Sequence, residues 1–131
     1  MYRPRVSAAL AGQKIIIENH DPTLHNVHAF SGNETAFNRS QPKTAKPIEY
    51  TLEGKPGDVL TLRCDVHPWM RAFVFTVDSP HHAVTGKTGG FSFAKLPAGF
   101  YTVTGFHPTL GKKQTTVTVA KKPLHIELSF P

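Results

Sequence analysis

The chain has 131 residues, of which 39% are hydrophobic and 18% charged. That bounds it to one compact domain or two small modules and excludes both a multidomain machine and a disordered polymer. The formal net charge of +6 is spread along the chain, with Lys112-Lys113 and Lys121-Lys122 as pairs rather than a patch, so a solvated surface and not nucleic-acid binding is expected. The single cysteine, Cys64, excludes an internal disulfide, a four-cysteine zinc site and a copper centre bridged by two cysteines. No apolar run approaches the length of a membrane span.

Thr, Val and Ile together supply 29 residues, beside Gly 10 and Pro 11; β-branched residues punctuated by turn formers predict an all-β protein. The N-terminal MYRPRVSAALAG carries basic residues without the apolar stretch of an export signal. That fits either a cytoplasmic protein or an exported one already trimmed of its leader.

In chain order, Lys14 to Glu18 is a short apolar run expected as a strand buried on both faces. Asp21-Pro22 makes a turn, and His25 to Phe30 is the next strand. Residues 31–47, rich in Gly, Asn, Ser and Thr with two prolines, read as a long excursion with little regular structure. Ile48, Tyr50 and Leu52 alternate with polar residues, the period of a half-buried strand. Gly54 to Asp58 is turn chemistry, Val59 to Cys64 alternates again, and Ala72 to Val77 is another buried strand. Between those two lies Asp65-Val66-His67-Pro68-Trp69-Met70, a loop unusually rich in apolar residues. Beyond Asp78 the texture changes to glycine turns, with strands expected around Tyr101 to Val103, at Thr115 to Val119 and over the alternating run Leu124 to Phe130. A boundary is therefore expected near residue 78, giving domains 1–77 and 78–131. The second is too short to be more than marginal alone and is expected to pack on the first. Gly86-Lys87-Thr88 looks like the end of a phosphate-binding loop, but the glycine such a loop needs earlier is replaced by His81.

The chemistry concentrates in Cys64-Asp65-Val66-His67-Pro68-Trp69-Met70, a C-x2-H-x2-M arrangement. A thiolate, an imidazole and a thioether form a soft donor set, which selects copper over calcium, magnesium or manganese. A His2Cys plane with a weak axial Met is the electron-transfer copper geometry and needs one more histidine. The run His25-Asn26-Val27-His28 offers two. They are three apart on a strand, so their side chains face opposite ways and only one reaches Cys64; His25 is the candidate.

These residues resemble the copper motifs of the cupredoxins: His25-Asn26-Val27-His28 followed by Cys64-x-x-His67-Pro68-x-Met70-Arg71 is similar to amicyanin, and more loosely to plastocyanin and pseudoazurin. The resemblance spans roughly residues 14–77. It implies a cupredoxin-like Greek-key β-sandwich with one type 1 copper held by His25, Cys64, His67 and Met70, and His28 left out of the ligand set. It implies that Asn26 ties its strand to the cysteine loop by hydrogen bonding. Asp65 departs from the small or hydroxyl residue often found after the cysteine, and a carboxylate so close would lower the reduction potential. Residues 78–131, with Thr85-Gly86-Lys87-Thr88-Gly89-Gly90-Phe91 and Leu96-Pro97-x-Gly99-x-Tyr101, resemble a carboxypeptidase regulatory-like, transthyretin-like β module, which is not itself catalytic.

The implied function is a one-electron carrier, not an enzyme, in a periplasmic or other extracytoplasmic location. A redox protein partner would dock near His67, over an apolar patch of Pro68, Trp69 and Phe30. The alternative is a copper-binding module for delivery or sensing. A nitrite reductase-like enzyme would need a second copper, assembled between subunits from His20, His81, His82, His107 and His125.

Overall fold

The computed structural model describes all 131 residues, and every regular element in it is a strand. The chain divides into two compact units, Met1–Val84 and Thr85–Pro131.

In the first unit, β1 (Val6–Leu10), β3 (His25–Ser31), β4 (Glu34–Gln41), β6 (Val59–Arg63) and β7 (Arg71–Val77) form one sheet in the order β1-β7-β6-β3-β4. All its pairings are antiparallel except β1 on β7, which is parallel. A two-stranded ribbon, β2 (Lys14–Ile17) with β5 (Ile48–Thr51), makes the second layer. The core lies between them: Ala9, Val27, Ala29, Leu60, Leu62, Ala72 and Val74 of the large sheet cluster with Ile17, Ile48 and Leu52. Each large aliphatic side chain buried there contributes about 1.5–3 kcal/mol relative to exposure. The tight turn before β6 is closed by the Asp58 N–H donating to the Lys55 carbonyl at 2.9 Å. Its Gly57 sits at φ 95°, a conformation that favours glycine.

Two sequence expectations are corrected here, and one strand is added. Residues 31–47 are not an irregular excursion, because Glu34–Gln41 forms β4. As an edge strand it exposes nearly every residue, so it carries no hydrophobic period to read. The Ile15-Ile16-Ile17 run is buried on one face only, since Ile16 is 60% exposed. Val6–Leu10, which carried no strand expectation, forms β1.

The second unit is built on one hairpin, β8 (Gly99–His107) with β9 (Gly111–Val119). Tyr101, Val103, Thr115, Val117 and Val119 share its half-buried face, and no side chain of the unit is fully buried. The alternating run Leu124 to Phe130 is not a strand. It lies against the hairpin at Gly105, where an added Cβ would sit 3.1 Å from Leu128 and 3.2 Å from Phe130. Its alternation marks a packed side and an open side without a hydrogen-bonded ladder. A single hairpin is less than the two layers of a transthyretin-like sandwich.

Candidate metal centre

Strand periodicity carries the site residues to one place. The inward positions of β3 are His25, Val27 and Ala29, and those of β6 are Leu60 and Leu62. The same phase continued past β6 puts Cys64 inside, and continued back from Ala72 and Val74 of β7 it puts Met70 inside. Register does the rest. His28 pairs with Arg63 and Arg63 with Arg71, so His25, Cys64 and Met70 all lie at the same end of the large sheet. The β6–β7 connection folds back on itself there, with the Cys64 N–H donating to the Met70 carbonyl at 3.3 Å and the Met70 N–H to the His67 carbonyl at 2.9 Å. That turn swings His67 over the cysteine.

The result is a convergent donor set. His25 Nδ1 lies 3.0 Å from His67 Nδ1, and Cys64 Sγ lies 3.8 Å and 3.7 Å from those nitrogens. Among groups of His, Cys, Asp and Glu, these three bring their ligand atoms within 4.8 Å of one another. Donors sharing one ion at the usual bond lengths of about 2.0–2.3 Å sit roughly 3–4 Å apart, so the spacing fits a single metal ion. His25 and Cys64 are buried and His67 is half-buried. Met70 is buried at 4% exposure and, with His25, walls a cleft of about 760 Å³ that also touches Tyr2, Ile17 and Leu62. Thiolate, imidazole and thioether together suit copper.

His25 and Cys64 are held from behind. His25 Nε2 meets Asp21 Oδ2 at 2.8 Å, and this bond keeps the Asp21 carboxyl below the usual carboxylate range. With a carboxylate there, the proton belongs on Nε2 and leaves Nδ1 as the free lone pair. Asp21 is placed by its loop: Asn19 Oδ1 accepts the Asp21 N–H, and Asn19 Nδ2 donates to the carbonyls of Thr23 and Gln41. Asn26 Oδ1 accepts the Asp65 N–H at 2.7 Å and lies 3.5 Å from Cys64 Sγ, so this residue ties β3 to the cysteine loop. Asp65 is held below the usual carboxylate range by hydrogen bonds from Asn26 and then His28. Tyr2, which carried no functional expectation, donates its hydroxyl to the carbonyl of Arg63, the residue before the cysteine, at 3.3 Å. Burial, and then the negative charges of Cys64 and Asp65, push its phenol up to about 12. Sequence offered no signal for this contact, because it spans most of the unit.

The two histidines of β3 part as strand geometry requires: His25 joins Cys64, while His28 turns to the other face, onto Asp65 and Thr35. Around the site Val66 and Trp69 are exposed, Trp69 at 69%, and the His67 and Trp69 rings are 5.2 Å apart. Phe30 is half-buried and stacks on His28 with Arg63 across its ring. The remaining histidines have other settings. His20 pairs with Glu18, His81, His82 and His125 are exposed, and His107 Nδ1 accepts the N–H groups of Thr109 and Leu110 in the β8–β9 turn.

No protein-family model matches the chain, and no curated protein matches it. Among solved structures it is similar to a "Novel Purple Cupredoxin from Nitrosopumilus maritimus", at 23% identity over 56% of this chain and 78% of that one, with a TM-score of 0.47.

Proposed function

We propose that the chain is a type 1 copper protein of the cupredoxin kind that carries single electrons between redox partners. The observation that carries this reading is the meeting of His25 Nδ1, Cys64 Sγ and His67 Nδ1 within 4.8 Å, with Met70 buried from the same short loop. His25, Cys64, His67 and Met70 would hold the copper. Bound there, copper supplies a centre that accepts and returns one electron.

The protein's part is to keep the donors still. Asp21 fixes the His25 ring, Asn26 joins the two ligand-bearing segments, and the Cys64–Met70 and Met70–His67 backbone bonds set the loop. Donors held this way need little rearrangement when the charge at the centre changes. His67 is the ligand nearest solvent, and exposed Trp69 and Val66 beside it give a redox partner an apolar place to dock. Redox encounters use small interfaces, and the net charge of +6 favours a partner with an acidic surface, chiefly through encounter rate. An extracytoplasmic location goes with this reading.

Copper titration followed by visible absorption tests it. The expected result is an intense charge-transfer band at one copper per chain, reversible redox and fast electron self-exchange, with the band lost in Cys64→Ser. A colourless one-to-one complex would remove the type 1 assignment. Tight Cu(I) binding without electron exchange would put metal delivery in its place.

A further inference from the structure

Asn26 and Asp65 are bonded twice. Asn26 Oδ1 accepts the Asp65 backbone N–H at 2.7 Å, and Asn26 Nδ2 donates to Asp65 Oδ2 at 2.8 Å. Both ends of one amide are therefore answered by the backbone and side chain of one residue. Asn26 Nδ2 also donates to Asn38 Oδ1 on β4 at 3.0 Å. The carboxylate is backed in turn by His28, whose Nδ1 lies 3.1 and 3.2 Å from its two oxygens and whose Nε2 reaches Thr35 Oγ1 at 2.9 Å. The His28 ring is stacked on Phe30 with centroids 4.1 Å apart. Turning the Asn26 amide over would set its N–H groups against the Asp65 N–H and its oxygen against the carboxylate, so one orientation is strongly favoured.

That orientation matters because of where the pair sits. Asn26 follows His25 and Asp65 follows Cys64, so the clamp joins the chain one residue beyond two of the three converging donors. The locked amide presents its oxygen to Cys64 Sγ at 3.5 Å. In the opposite orientation it would present N–H donors, which draw electron density from a sulfur ligand and favour the reduced metal.

We propose that Asp65 is a positioning residue for the Cys64 sulfur: its backbone N–H and its carboxylate, the latter backed by His28, together lock the Asn26 amide with the oxygen towards the sulfur and bias the site towards the oxidised metal. The redox half of this inference rests on the copper reading above; the clamp itself does not. The carboxylate charge and the amide orientation act in the same direction, since both favour Cu(II) over Cu(I). The Asp65 side chain is 55% exposed, so screening keeps its effect modest, about a tenfold bias, which for one electron is about 59 mV.

Two variants separate the contributions. Asp65→Asn removes the charge but keeps an oxygen to accept from Asn26 Nδ2; Asp65→Ala removes both. In the copper-loaded protein, the expected result is a higher reduction potential in both variants, with the Cu(I) to Cu(II) preference raised about tenfold in Asp65→Ala and by less in Asp65→Asn. The absorption band should be unchanged in Asp65→Asn and shifted in Asp65→Ala. In the metal-free, nitrogen-15-labelled protein, solvent exchange of the Asn26 side-chain amide should be slow in the unmodified chain and in Asp65→Asn, and at least about tenfold faster in Asp65→Ala. Equal exchange in the unmodified chain and both variants overturns the clamp. A normal coloured protein whose potential is unmoved in both variants overturns the redox half. A colourless copper complex of the unmodified chain overturns the copper reading, while amide exchange still decides the clamp.

Discussion

The hydrogen bond from His25 to Asp21 gives the most direct handle on the site. His25 is 8% exposed and Asp21 49%, with Nε2 and Oδ2 2.8 Å apart. Residues that orient a ligating histidine typically contribute 10–100-fold to metal affinity. A half-exposed carboxylate is well screened, which sets the expectation at the lower end, about tenfold. Asp21→Ala should therefore weaken Cu(I) binding about tenfold, and Asp21→Asn, which keeps an acceptor oxygen, should weaken it less. The loop stays closed in both, because Asn19 Nδ2 still holds the Thr23 and Gln41 carbonyls. Competition against a chromogenic Cu(I) chelator measures the effect, with His25→Ala as the reference for a lost ligand. If Asp21→Ala binds as tightly as the unmodified chain while His25→Ala does not bind, the carboxylate does not orient the ring and the reasoning fails.

Three further expectations follow from particular contacts. His25→Ala should abolish the coloured copper site and His28→Ala should retain it; equal losses by absorption would contradict the division of the two side chains between faces. Thr76 is 1% exposed and its Oγ1 has no hydrogen-bond partner, so Thr76→Val should raise stability by about 1 kcal/mol in urea unfolding, and a destabilised variant would show that the hydroxyl is satisfied in solution. Tyr2 titrates near 12 instead of 10.0. The folded chain thus keeps its proton where the unfolded chain loses it, and the contribution is complete below pH 10 and lost between pH 10 and about 12. Discounted for the side chain's partial exposure, it is on the order of 1 kcal/mol; an ultraviolet titration placing the Tyr2 phenol near 10 would refute it.

What was legible in the sequence followed the strength of a period. Alternation in Val59 to Cys64 and in Ile48 to Leu52 located β6 and β5, and the same rule separated His25 from His28. The spacing of Cys64, His67 and Met70 was readable because one short loop holds all three. β4 was not readable, since both its faces meet solvent over most of its length and selection for burial leaves no pattern there. β1 was missed because Val6-Ser7-Ala8-Ala9-Leu10 is built mainly of small residues, whose hydrophobic contrast is weak. Leu124 to Phe130 failed the opposite way: burial on one side makes a period of two even where no neighbouring backbone completes a ladder. Asp21, Asp65 and Tyr2 act through contacts that no local pattern encodes.

The parallel pairing of β1 with β7 also has a consequence for how the first unit is assembled. Val6 aligns with Phe73 and Leu10 with Val77, so the earliest strand made finds its partner only when the last strand of the unit exists. The β3–β4 and β6–β7 hairpins close over short spans, whereas this pairing must wait for a long loop to close. During synthesis β1 therefore stays unpaired until β7 has been made. Tyr2, four residues before β1, takes its seat against the carbonyl of Arg63, so that contact also joins the two ends of the unit's sequence.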